Sequence, residues 1–309
     1  MKILVVGSGG IGGYFGGRLA AAGHDVIFMA RGDHLAALRA KGLRIFSRFG
    51  DAVINPVTAT ERPPPGTPVD AVLVSVKLWD LEPAAELVSK LYNRNTPVFC
   101  LMNGVDSGQR LAAVLGPERV IETVVSAAAE VLAPGQILQS GEKAEIRIGL
   151  YDDARAGACA ALYQAFVDAG VDASQHRDIE DEVWQEFAFR VAFGGTTAAL
   201  GQPIAVVQTD KSARSMFLEA AQEAVLAGSR QGRSLAPALP EAFLTKVDRL
   251  APERTSAALR SLKDGRRLET PWMNGTVVRI GRACGFETPA NSFIETTLAP
   301  HVMGAQPGR

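Results

Sequence analysis

Three glycines near the start of the chain, Gly7, Gly9 and Gly12, have the spacing G-x-G-x-x-G. Between a buried strand and a helix, such a turn brings backbone N–H groups up to a pyrophosphate. The first glycine permits the tight turn, the second the close approach of the backbone, and the third the close packing of helix on strand. The helix N-terminus adds partial positive charge. The surroundings fit: residues 3–6 are an apolar run, residues 13–22 a small-residue helix closed by Gly23, and residues 25–29 a second apolar strand. A dinucleotide site is expected, with Ser8 inside its loop. Arg31 stands just past the second strand, where NAD-preferring sites carry an acid for the ribose 2′-hydroxyl. A guanidinium there suits a 2′-phosphate instead, and Asp25 lies at the wrong end of the strand, so the expected cofactor is NADP in its reduced form. Lys77 follows the apolar run 69–76, and Asn103 follows the run 96–102. Ligands of open parallel sheets sit outside the carboxyl ends of strands. Ser8, Lys77 and Asn103 are therefore expected on one edge, able to hold ribose, nicotinamide and a substrate oxygen.

The elements that must position these residues can be read in order. Residues 33–41 predict a helix capped by Asp33 and ended by Gly42. Residues 43–49 and 52–58 predict short strands around Gly50-Asp51, and the run ERPPPGTP (61–68) a loop. Asp80 is expected to cap a helix reaching residue 92. A helix over 107–115, a strand over 120–126, two paired strands (136–139 and 144–149) around Gly141, a helix over 154–169 and a strand over 171–174 follow. This alternation predicts a doubly wound parallel sheet. From residue 179 only helical periodicity remains. Val183, Trp184, Phe187, Phe189 and Val191 begin an apolar helix, and further helices are expected over 214–230, 240–250, 272–284 and 292–298. The expected architecture is α/β: a Rossmann-type dinucleotide-binding domain over 1–177, then an all-α substrate or dimerisation domain over 178–309. The end, GAQPGR (304–309), is expected to be mobile.

Composition narrows the function classes. The chain has 309 residues, 47% hydrophobic and 21% charged, with a formal net charge of −1, so no global field draws it to nucleic acid or an anionic membrane. A local basic cluster, Arg260, Lys263, Arg266 and Arg267, is interrupted by Asp264 and Glu269 and lacks an aromatic stacking set. No apolar run approaches the roughly 20 residues of a membrane span. Cys100, Cys159 and Cys284 are far apart and odd in number, which fits a reducing compartment. His24, His34, His176 and His301 lack metal-ligand spacing, and no metal is expected. A cytoplasmic protein acting on a small molecule is expected, with a homodimer interface open to the apolar helices of its second domain.

In combination the motifs resemble ketopantoate reductase (2-dehydropantoate 2-reductase). GSGGIGGYFG at the start, Arg31, VSVKLWD around Lys77, LMNGV around Asn103, VWQEFAFRVAFGGTTAAL (183–200) and GRRLETPWMNGTVVRIGRACGFETPANSFI carry the resemblance over nearly the whole chain. It implies NADPH-dependent reduction of a 2-keto acid to a 2-hydroxy acid in an interdomain cleft. It further implies that Gly7, Gly9, Gly12 and Arg31 bind the cofactor, that Lys77 and Asn103 line the cleft, and that Glu269 orients the substrate.

The sequence departs from the family at one point. The family's catalytic lysine lies two residues after the tryptophan of its long helix, and Trp184-Gln185-Glu186 puts Glu186 there. The family's asparagines further along the helix become Arg190 and Gly194, and its substrate-binding serine becomes Ala257, beside Ser256. Three readings stand. Glu186 is a protonated acid; or Arg190 or Lys77 supplies the missing cation; or the chain acts on another hydroxy acid or alcohol, or binds NADPH without catalysis. Arg190 lies one helical turn beyond Glu186, so its guanidinium can bind a substrate carboxylate or pair with Glu186.

Overall fold

The computed structural model describes residues 1–92 and 95–305; residues 306–309 of the expected mobile end lie outside the described residues. The chain divides into two units, Met1–Ile179 and Glu180–Arg309. The strands of the first are β1 (Lys2–Val6), β2 (Asp25–Met29), β3 (Leu43–Ser47), β4 (Ala52–Ile54), β5 (Thr58–Thr60), β6 (Ala71–Val74), β7 (Val98–Cys100), β8 (Val120–Ala133), β9 (Gln136–Gly149) and β10 (Asp172–His176). Its helices are α1 (Gly10–Ala21), α2 (Gly32–Lys41), α3 (Leu81–Leu91), α4 (Ser107–Leu115) and α5 (Ala156–Asp168). Six strands run parallel in the order β5-β2-β1-β6-β7-β8. That is the strand order of doubly wound dinucleotide folds. Every residue of β6 and β7 is buried, as expected for strands covered on both faces.

The chain departs from expectation in four places. Residues 136–149 form one strand, not two paired around Gly141, and their partner is β8. Gly141 marks a bulge: the register jumps from Ala127↔Ala144 to Ala129↔Gln139, and Gln139 Nε2 donates to the Gly141 carbonyl at 2.6 Å to hold the loop. The run 52–58 breaks at Pro56, which has no amide hydrogen for a ladder, so β4 pairs with β3 while β5 joins β2. Neither Asp33 nor Asp80 caps a helix through its side chain. α2 starts a residue earlier, at Gly32, which leaves Asp33 in the first turn. Asp80 closes a short 3-10 turn running into α3 and lacks the extended backbone of a cap.

The β8–β9 ribbon carries the sheet round α1, because β9 also pairs with β3 and β10. The helix is enclosed from two sides and its glycines are the points of closest approach. A Cβ on Gly16 would stand 2.7 Å from Val5 Cγ2, one on Gly13 2.8 Å from Ile137 Cδ1, and one on Gly17 2.5 Å from Ile45 Cδ1. Phe15 and Leu19 on the same helix are fully buried, and Phe15 meets Phe166 of α5 edge-on at 5.8 Å.

Among its described residues the second unit has helices and no strand: α6 (Ile179–Leu200, its first residue closing the first unit), α7 (Ala205–Thr209), α8 (Lys211–Arg230), α9 (Leu239–Val247), α10 (Ala257–Lys263), α11 (Asn274–Cys284) and α12 (Pro289–Leu298). Trp184, Phe187, Ala188, Val191 and Ala192 bury most of the girth of α6. Glu186, Arg190, Phe193 and Gly194 lie along a half-buried strip. Phe189 stacks on Phe193 and meets Phe217 and Phe243 edge-on. Asp210 caps α8 by accepting from the Ala213 amide at 2.8 Å, and Ser256 caps α10 by accepting from the Leu259 amide at 3.0 Å. No described helix is long and apolar enough to cross a membrane.

Candidate functional site

The strand register brings the polar edge residues together. Val6 pairs with Met29 and with Val74, and Val74 pairs with Cys100, so the ends of β2, β1, β6 and β7 lie side by side. The segments leaving those ends carry Arg31, the glycine loop, Lys77 and Asn103. Lys77 and Arg31 are exposed, and Asn103 is half-buried.

The three glycines differ in what surrounds them. Gly7 has φ +94°, the left-handed region in which side chains are strained, and the Ser75 carbonyl would lie 2.9 Å from any Cβ there. Gly12 packs against the Ser75 hydroxyl and the Gly7 carbonyl, leaving no room for a methyl group. Gly9 has φ −71° and nothing within 4 Å of where a Cβ would be, so its backbone is open to a ligand. Gly9 is also the N-cap of α1, whose first turn contains no acidic residue to neutralise the helix dipole. An anion fits this place, and the group that the loop suits is a pyrophosphate.

Ser8 lies within this loop with its side chain turned inward. It is 3% exposed, and its hydroxyl donates to the Met29 carbonyl at 2.8 Å, tying the loop to the end of β2. Of two residues missed in the sequence, Ser75 shares this task and His34 ties α2 to the turn between β8 and β9. The Ser75 hydroxyl, just past the end of β6, donates to the Gly7 carbonyl at 2.7 Å. His34, in the first turn of α2, accepts from the Gly135 amide through Nδ1 at 3.1 Å, and burial lowers its pKa below the usual histidine range. Nothing in its spacing marked it.

In the second unit, Arg190 Nε donates to Glu186 Oε1 at 2.9 Å, and the two side chains are only 25% and 16% exposed. The paired arrangement is thus the one the structure holds. One turn on, Gly194 has only Ala258 Cβ within 4 Å of where its Cβ would be, at 3.7 Å. Ser256, beside Ala257, is spent on the α10 cap and accepts from the Thr197 hydroxyl at 2.8 Å. Glu269 is half-buried, and its carbonyl accepts from the Trp272 and Met273 amides in the turn before α11. Of the basic cluster, Arg266 pairs with Asp264 at 2.6 Å, and the Arg267 guanidinium lies 5.6 Å from the centre of the Trp272 ring. Among the described residues, no group of three His, Cys, Asp or Glu could hold a metal ion.

Comparison with known proteins decides the family. A family model described as ketopantoate reductase PanE/ApbA matches residues 3–153, and one described as its C-terminal part matches residues 178–301. The chain belongs to the ketopantoate reductase family. It is an oxidoreductase, and its family works with a nicotinamide cofactor. A 2-dehydropantoate 2-reductase of Mesorhizobium japonicum is 30% identical over 322 positions, covering 97% of this chain and 96% of that protein. The solved 2-dehydropantoate 2-reductase of Geobacter metallireducens superposes with a TM-score of 0.90 at 27% identity, covering 97% of this chain and 99% of that one. D-mandelate dehydrogenase, solved with NADH and anilino(oxo)acetate, superposes with a TM-score of 0.89 over 97% of this chain and 98% of that one; at 19% identity the likeness is one of fold.

Proposed function

We propose that this chain reduces a 2-keto acid with NADPH, 2-dehydropantoate to pantoate foremost. The observation that carries this reading is the alignment of the glycine loop, Arg31, Lys77 and Asn103 behind four adjacent parallel strands. Family membership supports the reaction class. Bound NADPH supplies the hydride for the keto carbon. The open backbone at Gly9 and the N-terminus of α1 hold its pyrophosphate, Arg31 its 2′-phosphate, and Asn103 its nicotinamide end. Arg190, steadied by Glu186, grips the substrate carboxylate with paired N–H donors. Glu186 acts as the partner of Arg190 rather than as the acid, since its oxygen already accepts from Nε. Arginine keeps its proton, so of the two cations Lys77 delivers one to the developing alkoxide. Glu269 orients the substrate.

Steady-state NADPH oxidation with 2-dehydropantoate, other 2-keto acids and an NADH control tests the reading. Saturable turnover is expected. Arg190→Ala should raise the KM for the keto acid about 100-fold and leave that for NADPH unchanged. Lys77→Ala should lower kcat by about 100-fold or more. Glu186→Lys should lower turnover, because it strips Arg190 of its partner; a rise would mean that a lysine at this position is what the site lacks. NADPH binding with no 2-keto acid reduced would leave a cofactor-binding protein. Faster reduction of a bulkier acid would make the chain a related hydroxy-acid dehydrogenase.

A further inference from the structure

Glu223, in the middle of α8, is 8% exposed yet carries a carboxylate. Donors surround it. Oε1 accepts from the Ala290 amide at 2.8 Å, and Oε2 accepts from the Asn291 amide at 2.9 Å and from Asn291 Nδ2 at 2.7 Å. The two backbone donors are free N–H groups of the first turn of α12, whose own N-cap, Thr288, gives no side-chain cap bond. Glu223 therefore caps α12 from another helix.

The bonds continue in one direction. A carboxylate only accepts, so the Asn291 amide must turn its nitrogen to Glu223, where that nitrogen also donates to the Ala220 carbonyl at 3.1 Å. Asn291 Oδ1 is then left to accept from Asn274 Nδ2 at 2.8 Å. Asn274 Nδ2 donates its second hydrogen to the Val191 carbonyl at 3.3 Å. Both asparagines are buried, at 0% and 2% exposure. The approach of Asn274 to α6 depends on the bare Gly195, where a Cβ would stand 2.5 Å from Asn274 Nδ2. One carboxylate thus sets the orientation of two amides and locks the turn of α6 that begins at Arg190. The same Asn274 opens α11, directly after the turn closed by the Glu269 carbonyl.

We infer that Glu223 is a positioning residue for the substrate side of the second unit: through Asn291 and Asn274 it fixes the backbone that carries Arg190 and Glu269. This rests on the reading that Arg190 holds the substrate carboxylate. Glu223→Gln keeps the shape but gives the chain of amides no fixed direction. Its kcat/KM for the keto acid should fall about 10- to 100-fold, mostly through KM, because small displacements of positioning groups cost that much. The Kd for NADPH should stay within about twofold. The change should be non-additive with Arg190→Ala: in the double variant, Glu223→Gln should cost less than about twofold further. Gly195→Ala, which displaces Asn274 from the other end, should reproduce the loss and serves alone if Glu223→Gln does not fold. Unchanged kcat and KM in a folded Glu223→Gln or Gly195→Ala variant, or losses additive with Arg190→Ala, would overturn the inference. A wild type that reduces no 2-keto acid would overturn the functional reading and this inference with it.

Discussion

Gly7, Gly9 and Gly12 share a residue type but not a reason. Gly12 touches the Ser75 hydroxyl and the Gly7 carbonyl, whereas Gly9 faces open space. Gly12→Ala should therefore destabilise the free protein by about 1–3 kcal/mol, the cost of overpacking. Gly9→Ala should leave stability within about 1 kcal/mol of wild type and weaken NADPH binding about tenfold. Thermal unfolding and cofactor titration of the two variants check this; equal stability losses would contradict it. At this scale the sequence was informative where spacing carries the chemistry. The glycines and the residues after the apolar runs were legible because strand ends are marked by where apolar residues stop. Glu223 was not. A single glutamate in a helix reads as solvated, and its backbone partners lie 67 and 68 positions away. The bond of the Ser8 hydroxyl was not legible either, because a hydroxyl in a glycine loop does not disclose that a neighbouring strand carbonyl will accept from it.

At the scale of elements, the core strands and most helices were legible from period and length. The long β8–β9 ribbon was not. Gly141 signals a turn and a bulge equally well, and the choice falls to a partner strand that local sequence does not name. The helix α1 shows the cost of enclosure: Gly13, Gly16 and Gly17 stand where a side chain would meet β9, β1 or β3. Burial acts on α5 as well. The Cys159 thiol is fully buried, and its pKa is pushed up to about 11. A folded pKa above the unfolded one means that the native state holds the proton more tightly. The stability this gives is complete below the unfolded thiol pKa and is lost as pH rises through about 11. Urea unfolding at stepped alkaline pH should show Cys159→Ala losing on the order of 2 kcal/mol less than wild type between neutral pH and that point. Equal slopes would contradict it.

At the scale of the whole molecule, the strands of a six-stranded parallel core end in a row of segments carrying the glycine loop, Arg31, Lys77 and Asn103, and a helical unit follows that carries the Glu186–Arg190 pair. The two-part layout was legible because strand and helix periods separate cleanly near residue 179. Which charged groups would be paired was not, since a pair four residues apart on a helix is equally open to a ligand or to its own partner. Cofactor choice belongs to this scale, because it links the end of β2 to a bound dinucleotide. Arg31→Ala should lower the preference for NADPH over NADH about 10- to 100-fold, read as the ratio of kcat/KM values. An unchanged ratio would place the 2′-phosphate elsewhere. The central claim is hydride transfer from NADPH to the keto carbon of a 2-keto acid, and the most direct measurement follows the hydride itself. NADPH deuterated on the nicotinamide carbon that donates the hydride is incubated with the protein and 2-dehydropantoate, and the product is analysed by mass spectrometry and NMR. The account predicts pantoate carrying one deuterium at C2, the former keto carbon, in step with NADPH oxidation. Bound cofactor with no deuterium transferred to this or any other 2-keto acid would contradict it.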